Sequence, residues 1–365
     1  MSIQLDISSI QIPFKQKFKH ASRSRGETES ILVKATDGNH SGYGEGCPRD
    51  YVTGESVETC KNQFQSISEQ VSSLDNFESL LRFRAENRQF IKKNPSLWCA
   101  MEMALLDLFA RQKNLPLHEF LSIGFRSQSQ FTAVLGISSR TKFIKNVLKY
   151  RLNGMKDFKV KISGNRSQDL FAIWILRFLG SKTIRVDANN FWHKIDQAND
   201  YIKKLHTDFL GVEEPIKLGT NSLGDLIHNS SFPVILDEHF THIDQMNKID
   251  RTDKAIINLR VSKVGGILNA MEVIRQAKEK KIQLILGSHV GETSLLARAA
   301  HLVSCYSPAS FLHFEGAYSD YLLSNDPGSP KIKFGPGGKV DFDKFKEKPG
   351  LGIKFSKEDS FARKI

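Results

Sequence analysis

Six charged residues in the middle of this chain close short runs rich in Val, Ile, Leu or Phe. They are Lys159 and Lys161 in FKVKIS, Asp187 in IRVDAN, Glu213 in GVEEP, Asp237 in VILDEH and Arg260 in IINLRVSKVGG. From Lys161 onward they stand 26, 26, 24 and 23 residues apart. Each interval has room for one strand and one helix. That is the period of a repeated strand–helix unit, and in a closed parallel barrel of such units the carboxyl ends of the strands meet on one face. Three acids gathered there make a site for a hard divalent cation. A lysine pair on the neighbouring strand adds a group that can move a proton once it is neutral.

The elements that must hold these residues are legible from about Gln130. Strand candidates are FTAVLGI, FKVKIS, TIRVDAN, FLGVEEP, PVILDEH, AIINLRV, IQLILGSH and FLHFEGAY. Alternation along a strand puts Lys159 with Lys161, Asp187 with Asn189, and Asn258 with Arg260 on common faces. Helical stretches lie between, such as ILNAMEVIRQAKEKK, where Ile267, Ala270, Met271, Ile274 and Ala277 form a stripe. Ahead of the barrel, QLDISSIQIPF and SILVKATDG read as strands, and HSGYGEGCPRDYVTGES as a Gly-rich loop of a length that usually carries function. Ser56 to about Gln112 reads as helical, with Met101, Ala104, Leu105, Leu108 and Phe109 on one face. Beyond residue 320 the chain is polar and rich in turns, and GLGIKF looks like a strand returning to the N-terminal part.

With 365 residues, 40% of them hydrophobic, the chain can build a sizeable core. The N-terminus has no basic start followed by an apolar block, so no signal peptide is expected. No window reaches the roughly 18–20 apolar residues of a membrane helix. Cys47, Cys60, Cys99 and Cys305 have neither metal nor redox spacing, which suits a reducing, cytoplasmic setting. The net charge of +12 is spread over the whole chain without a recognition motif. It fits attraction of a small anionic substrate better than nucleic-acid binding.

Lys-x-Lys, Asp-Ala-Asn, Glu-x-Pro, Asp-Glu and a Lys-x-Gly-Gly turn, in this order and spacing, resemble the enolase superfamily. The likeness is greatest to its muconate lactonizing enzyme-like subgroup, which includes muconate cycloisomerases, o-succinylbenzoate synthases and dipeptide epimerases. The resemblance implies an α/β fold: a modified (β/α)7β barrel over residues 126–318, an α+β capping domain over 1–125, and a segment 319–365 that completes the cap. It implies that Asp187, Glu213 and Asp237 bind Mg2+, or Mn2+ in its place. Lys161 would be the base and Lys159 its electrostatic neighbour. Glu238 matches an acid usually found just behind the ligands, and Glu292 one that closes a later strand, one residue out of register. The loops His20–Glu29 and Cys47–Ser56 should cover the barrel mouth, with Arg23, Arg25, Arg49 and Tyr51 as candidate substrate contacts. A homo-oligomer acting on a small carboxylate is expected.

Such enzymes remove the proton next to a carboxylate, and the cation offsets the charge that develops on oxygen. A free lysine has a pKa of about 10.4, so a second cation two residues away helps keep the base neutral. One position departs from the pattern. Where the subgroup has a second catalytic lysine, this chain has Arg260, which stays protonated and cannot readily act as a base. One-base chemistry by Lys161, such as cycloisomerisation or syn dehydration, is therefore the leading expectation. The alternatives are a two-base racemase or epimerase of an amino-acid or dipeptide derivative, and a carboxylate-binding protein with a decayed site. Lys263, His289 and Asn189 are further candidates near the metal. Relatives that bind dipeptides carry Asp-x-Asp near the last strand, where this chain reads His313-Phe314-Glu315.

Overall fold

Alternating apolar residues build the first sheet. Strands β1 (Gln4–Lys19), β2 (Ser24–Thr36) and β3 (Ser41–Gly46) are antiparallel neighbours. Ile31, Val33 and Ala35 on β2 point inward and are fully buried. The structure is a computed structural model describing residues 3–19, 24–181, 183–218, 222–355 and 362–364; the side chains of 16–19, 24–25 and 362–364 lie outside that description.

Helices α1 (Val57–Ser72), α2 (Phe77–Glu86), α3 (Arg88–Lys93), α4 (Pro95–Gln112) and α5 (Leu117–Phe120) follow. Pro95 starts α4, where its missing N–H costs nothing, and the Glu55 carboxylate accepts from the Ser96 and Leu97 N–H groups. The segment Ser41–Gly46, expected as loop, is strand. Its glycines 42, 44 and 46 answer a packing demand: a Cβ on any of them would collide with the carbonyl oxygens of Ala104, Ala100 and Ser96. Helix α4 thus lies directly on β3.

After a short strand β4 (Gln128–Gln130) comes the barrel. Its strands are β5 (Ala133–Leu135), β6 (Phe158–Lys161), β7 (Ile184–Asp187), β8 (Gly211–Glu213), β9 (Val234–Leu236), β10 (Ala255–Leu259), β11 (Gln283–Leu286) and β12 (Phe311–Phe314). They form one sheet in chain order, and every neighbouring pair is parallel. The Thr132 N–H donates to Phe314 O at 2.8 Å and brings the first strand round to the last. Connecting helices are α6 (Arg140–Leu152), α7 (Arg166–Phe178), α8 (Ile195–Lys203), α9 (Leu223–Asn229), α10 (Ile267–Glu279) and α11 (Ser294–Tyr306), with a 3-10 turn at Ile243–Lys248 between β9 and β10. Eight strands with seven crossovers are the (β/α)7β arrangement. Inside, Ile235, Ile256 and Ile285 form a small apolar cluster apart from the main core.

The C-terminal part adds α12 (Ser319–Leu322), β13 (Gly328–Ser329), β14 (Lys339–Asp341), β15 (Lys354–Phe355) and β16 (Ala362–Lys364). β14 pairs with β4, and β16 pairs with β1 in the first sheet.

Buried carboxylates join the first sheet and α4 to the barrel mouth. Glu45 on β3 accepts from Thr293 N, Thr293 Oγ1 and Leu296 N at the start of α11. Glu102 on α4 accepts from Leu268 N at the start of α10. Helix N-termini favour negative charge, so each acid is placed where its burial is best compensated. Thr28 Oγ1 donates to Gly291 O at 2.9 Å, so the β1–β2 hairpin reaches the chain beyond β11. Residues Ser24–Glu29, expected as loop, belong to β2; residues 20–23, Arg23 among them, lie outside the described residues, as does the Arg25 side chain.

Candidate active site

Parallel register lines up the charged residues. Lys161 pairs with Asp187 and Asp187 with Glu213. Glu213 pairs with Ile235, so Asp237, two residues on, shares its face. Ile257 pairs with Leu236, which sets Asn258 beside Asp237 and Arg260 two residues beyond. The three acids therefore stand on β7, β8 and just past β9, with Lys161 at one end of the row and Arg260 at the other.

Below the row the barrel is filled by ion pairs. Lys159 Nζ lies 2.6 Å from Glu213 Oε1, 3.0 Å from Glu315 Oε2 and 3.8 Å from Asp187 Oδ2. Arg185 Nη1 meets Glu315 Oε1 at 2.8 Å, its Nη2 meets Asp157 Oδ2 at 2.8 Å, and His313 Nδ1 lies 2.9 Å from the same oxygen. Burial works against the charge on Lys159, but Glu213, Glu315 and Asp187 outweigh it and hold the ammonium well above the usual lysine range. It is a fixed cation. Lys161 reaches nearer the opening, 14% exposed against 6% for Lys159. Its Nζ donates to Asn189 Oδ1 at 2.7 Å and lies 3.6 Å from Asp187 Oδ2. Asn189 follows β7 in the left-handed region, φ +46°, a conformation asparagine tolerates.

At the other end, the Arg260 guanidinium lies against Asp237 Oδ2, and its Nη1 is 3.3 Å from His289 Nδ1. Lys263 is fully buried, donating to Asp237 Oδ1, Asp237 O and Asn258 O. Burial and the neighbouring Arg260 push its pKa down to about 7. Glu292 Oε1 accepts from His289 N at 2.6 Å and so holds the loop after β11. Glu214 turns away from the row with φ +43°. It accepts from Asp237 N and His239 N, fixing the third acid's backbone.

Asp187, Glu213 and Asp237 were expected to converge on one ion. Among the described residues no three His, Cys, Asp or Glu groups enclose a common point; Lys159 sits against Glu213 and Arg260 against Asp237 instead. The donor set nevertheless fits a hard cation. All three ligands offer carboxylate oxygen, and Glu213 Oε2 and Glu238 Oε2 are buried with no hydrogen-bond donor. Burial pushes Glu213 up to about 7 and Glu238 up to about 8, a cost that a divalent ion among them would reverse.

Arg49, a candidate substrate contact, is 1% exposed and donates to the carbonyls of Glu29, Pro48 and Val290. It fastens the Cys47–Ser56 segment to the chain beyond β11, so its guanidinium is committed to structure. Tyr51 is exposed on the same segment. Arg185 and Asp157 are site-lining residues that pattern reading passed over, and His313 and Glu315, noted only for standing where relatives carry Asp-x-Asp, line the site with them. Arg185 stands two before Asp187 on the same strand, and Glu315 directly follows the last strand two after His313, so alternation could have pointed both inward.

Comparison with known proteins extends the likeness over the whole chain. The N-succinyl-L-Arg/Lys racemase of Bacillus cereus is 24% identical over 97% of this chain and 95% of its own length. The L-Ala-D/L-Glu epimerase of Bacillus subtilis is 26% identical over 96% of each. In fold, the chain is similar to the dipeptide epimerase of Cytophaga hutchinsonii solved with Mg and the dipeptide D-Ala-L-Val, with a TM-score of 0.82, 24% identity, and 100% and 99% of the two chains covered. Residues 142–360 match the model of the enolase C-terminal domain-like family. That match falls on the barrel whose successive strands carry Lys-x-Lys, Asp, Glu and Asp, and the chain therefore belongs to this family within the enolase superfamily.

Proposed function

We propose that this protein is a Mg2+-dependent isomerase that removes and returns the proton α to the carboxylate of an amino-acid derivative, epimerising or racemising it. The observation that carries this reading is the acid row with Lys161 of β6 at one end and, at the other, Arg260 just past β10 in contact with His289. The racemase and epimerases aligned above support it, and they favour epimerisation over the one-base chemistry expected from Arg260 alone.

Asp187, Glu213 and Asp237 would hold Mg2+, displacing the Lys159 and Arg260 contacts. When bound, Mg2+ supplies charge that anchors the substrate carboxylate and offsets the negative charge developing there. Lys161 takes the α-proton on its face, held toward the substrate by Asn189. Lys159 stays protonated beneath and lowers the cost of the developing charge. On the far face Arg260 fixes a substrate oxygen through its planar fork. His289, in contact with Arg260, would be the acid or base on that face. Between the two kinds of substrate in the relatives' names, an N-acylated amino acid suits this chain better than a free dipeptide. Both oxygens of Glu315 are held by Arg185 and Lys159, so the last strand offers no uncommitted carboxylate to a substrate ammonium.

A second reading, one-base isomerisation or elimination, is favoured by Arg260 itself. The two separate in deuterated water. With Mg2+ and a library of N-acyl amino acids and dipeptides, epimerisation gives α-proton loss from both stereoisomers with interconversion. One-base chemistry gives exchange from a single isomer without inversion. Ligand binding without exchange anywhere in the library would indicate a carboxylate-binding protein.

A further inference from the structure

Arg298 on α11 is fully buried, 0% exposed, and among the described residues no carboxylate forms an ion pair with it. Its Nη1 meets His301 Nδ1 at 2.9 Å, and His301 Nε2 meets Arg126 O at 2.8 Å. That pattern assigns His301 as the neutral tautomer that accepts from arginine and donates to the carbonyl. Nε and Nη2 have no hydrogen-bond partner among the described residues. These two nitrogens carry the parallel N–H bonds along one edge of the guanidinium, the edge that binds an anion side-on.

Arginine remains charged when buried, and an unanswered charge inside a protein is costly. Asp107, an acid whose charge acts on Arg298, is already engaged by Arg111 Nε at 3.0 Å and by the Tyr43 and Leu351 N–H groups. The faces of Phe125 and Phe345, 5.9 and 5.4 Å from the guanidinium carbon, offset part of the cost. His118 packs on Phe125, with ring centroids 4.9 Å apart, and its Nδ1 is likewise buried without a partner. Its Nε2 faces Glu119 at 3.9 Å. Burial and the Arg298 charge hold both His118 and His301 below the ordinary imidazole range, so neither adds a competing positive charge.

We propose that the Nε–Nη2 edge of Arg298 is a structural site for a small halide-sized anion. An oxyanion such as phosphate would bring three or four oxygens needing donors, and the flanking rings supply none. The site lies where three parts of the chain meet: α11 of the barrel, the His118–Phe125 segment before it, and Phe345 of the C-terminal part. An anion there would tie them together.

The test uses the full-length protein dialysed into gluconate at constant ionic strength, with magnesium absent, titrated with sodium chloride or bromide. Thermal unfolding should shift upward by a few degrees and saturate, and Arg298→Met should lose the dependence. Should Arg298→Met fail to fold, crystals of the wild-type protein grown in bromide decide the matter through anomalous scattering. A bromide peak within hydrogen-bond reach of Nε and Nη2 is expected. A halide-independent melting temperature, or ordered water or a protein carbonyl on that edge instead of bromide, overturns the proposal.

Discussion

Lys161 and Arg260 differ in one property, the readiness to give up a proton, and the reaction turns on it. Lys161→Ala should reduce solvent exchange at the α-carbon by about 10²–10⁴-fold, the usual worth of a positioned base, as read by proton NMR in deuterated water. Arg260→Lys should raise exchange on the opposite face, because an ammonium can deprotonate where a guanidinium cannot; an unchanged stereochemical course would remove Arg260 from the far face. The metal makes a separate prediction. Saturating Mg2+ should raise the melting temperature, by about 2.7 kcal/mol of stabilisation at a hundredfold excess over its dissociation constant. Asp237→Asn should abolish that gain. A melting temperature indifferent to Mg2+ and to chelator would mean that the Lys159–Glu213 and Arg260–Asp237 pairs are the resting state of a metal-free site.

At the scale of elements, the contact between β3 and α4 sets how the first sheet meets the barrel. Gly44 stands where a Cβ would collide with Ala100 O, and that oxygen belongs to a helix buried on every side. Neither partner can retreat cheaply in a close-packed interior. Gly44→Ala should cost about 1–3 kcal/mol or more, seen as a lower urea midpoint. Gly38, with open space around its α-carbon, serves as the control for packing. Its φ of +94° still strains a substitution, but that cost should be the smaller. Equal losses at the two positions would show that conformational freedom, rather than close approach, is what β3 requires.

Across the whole molecule, buried acids at helix N-termini couple the first sheet to the barrel and make stability depend on pH. Burial pushes Glu45 from an ordinary 4.5 up to about 7, against the hydrogen bonds from Thr293 that pull it down. Between about pH 4.5 and 7 the folded protein keeps a proton that the unfolded chain has released. The contribution of Glu45 to stability therefore falls as pH rises through that window, by roughly 2–4 kcal/mol. Glu45→Gln keeps the acceptor and loses the charge, so its stability should fall less steeply across the same range in denaturant titrations. A slope identical to wild type would assign the pH dependence to Glu102, also pushed up to about 7 by burial, and to Glu292, pushed up to about 8.

How much of this was legible beforehand depends on the range of the interaction. Strand period, helix stripes and the row of acids are local, because alternation and spacing act within a few residues; Lys161, Asp187, Glu213, Asp237 and Arg260 could be named from them, and so could the barrel. The three glycines of β3 carry the same letters whether they serve a loop or a helix lying on a strand, and only the position of α4 decides which. Glu315 is an ordinary acid near residue 320 until barrel closure brings it to Lys159 and Arg185, 156 and 130 residues away in the chain. Arg49 was expected as a substrate contact because the resemblance puts its loop over the barrel mouth; its burial against Val290 depends on where two distant segments cross. Composition and periodicity determined which elements form and which residues line one face of them. Which charges neutralise one another, and which remain for a metal, a substrate or an anion, was decided by tertiary structure, because Coulomb interactions and desolvation depend on distances that the chain acquires only when it folds.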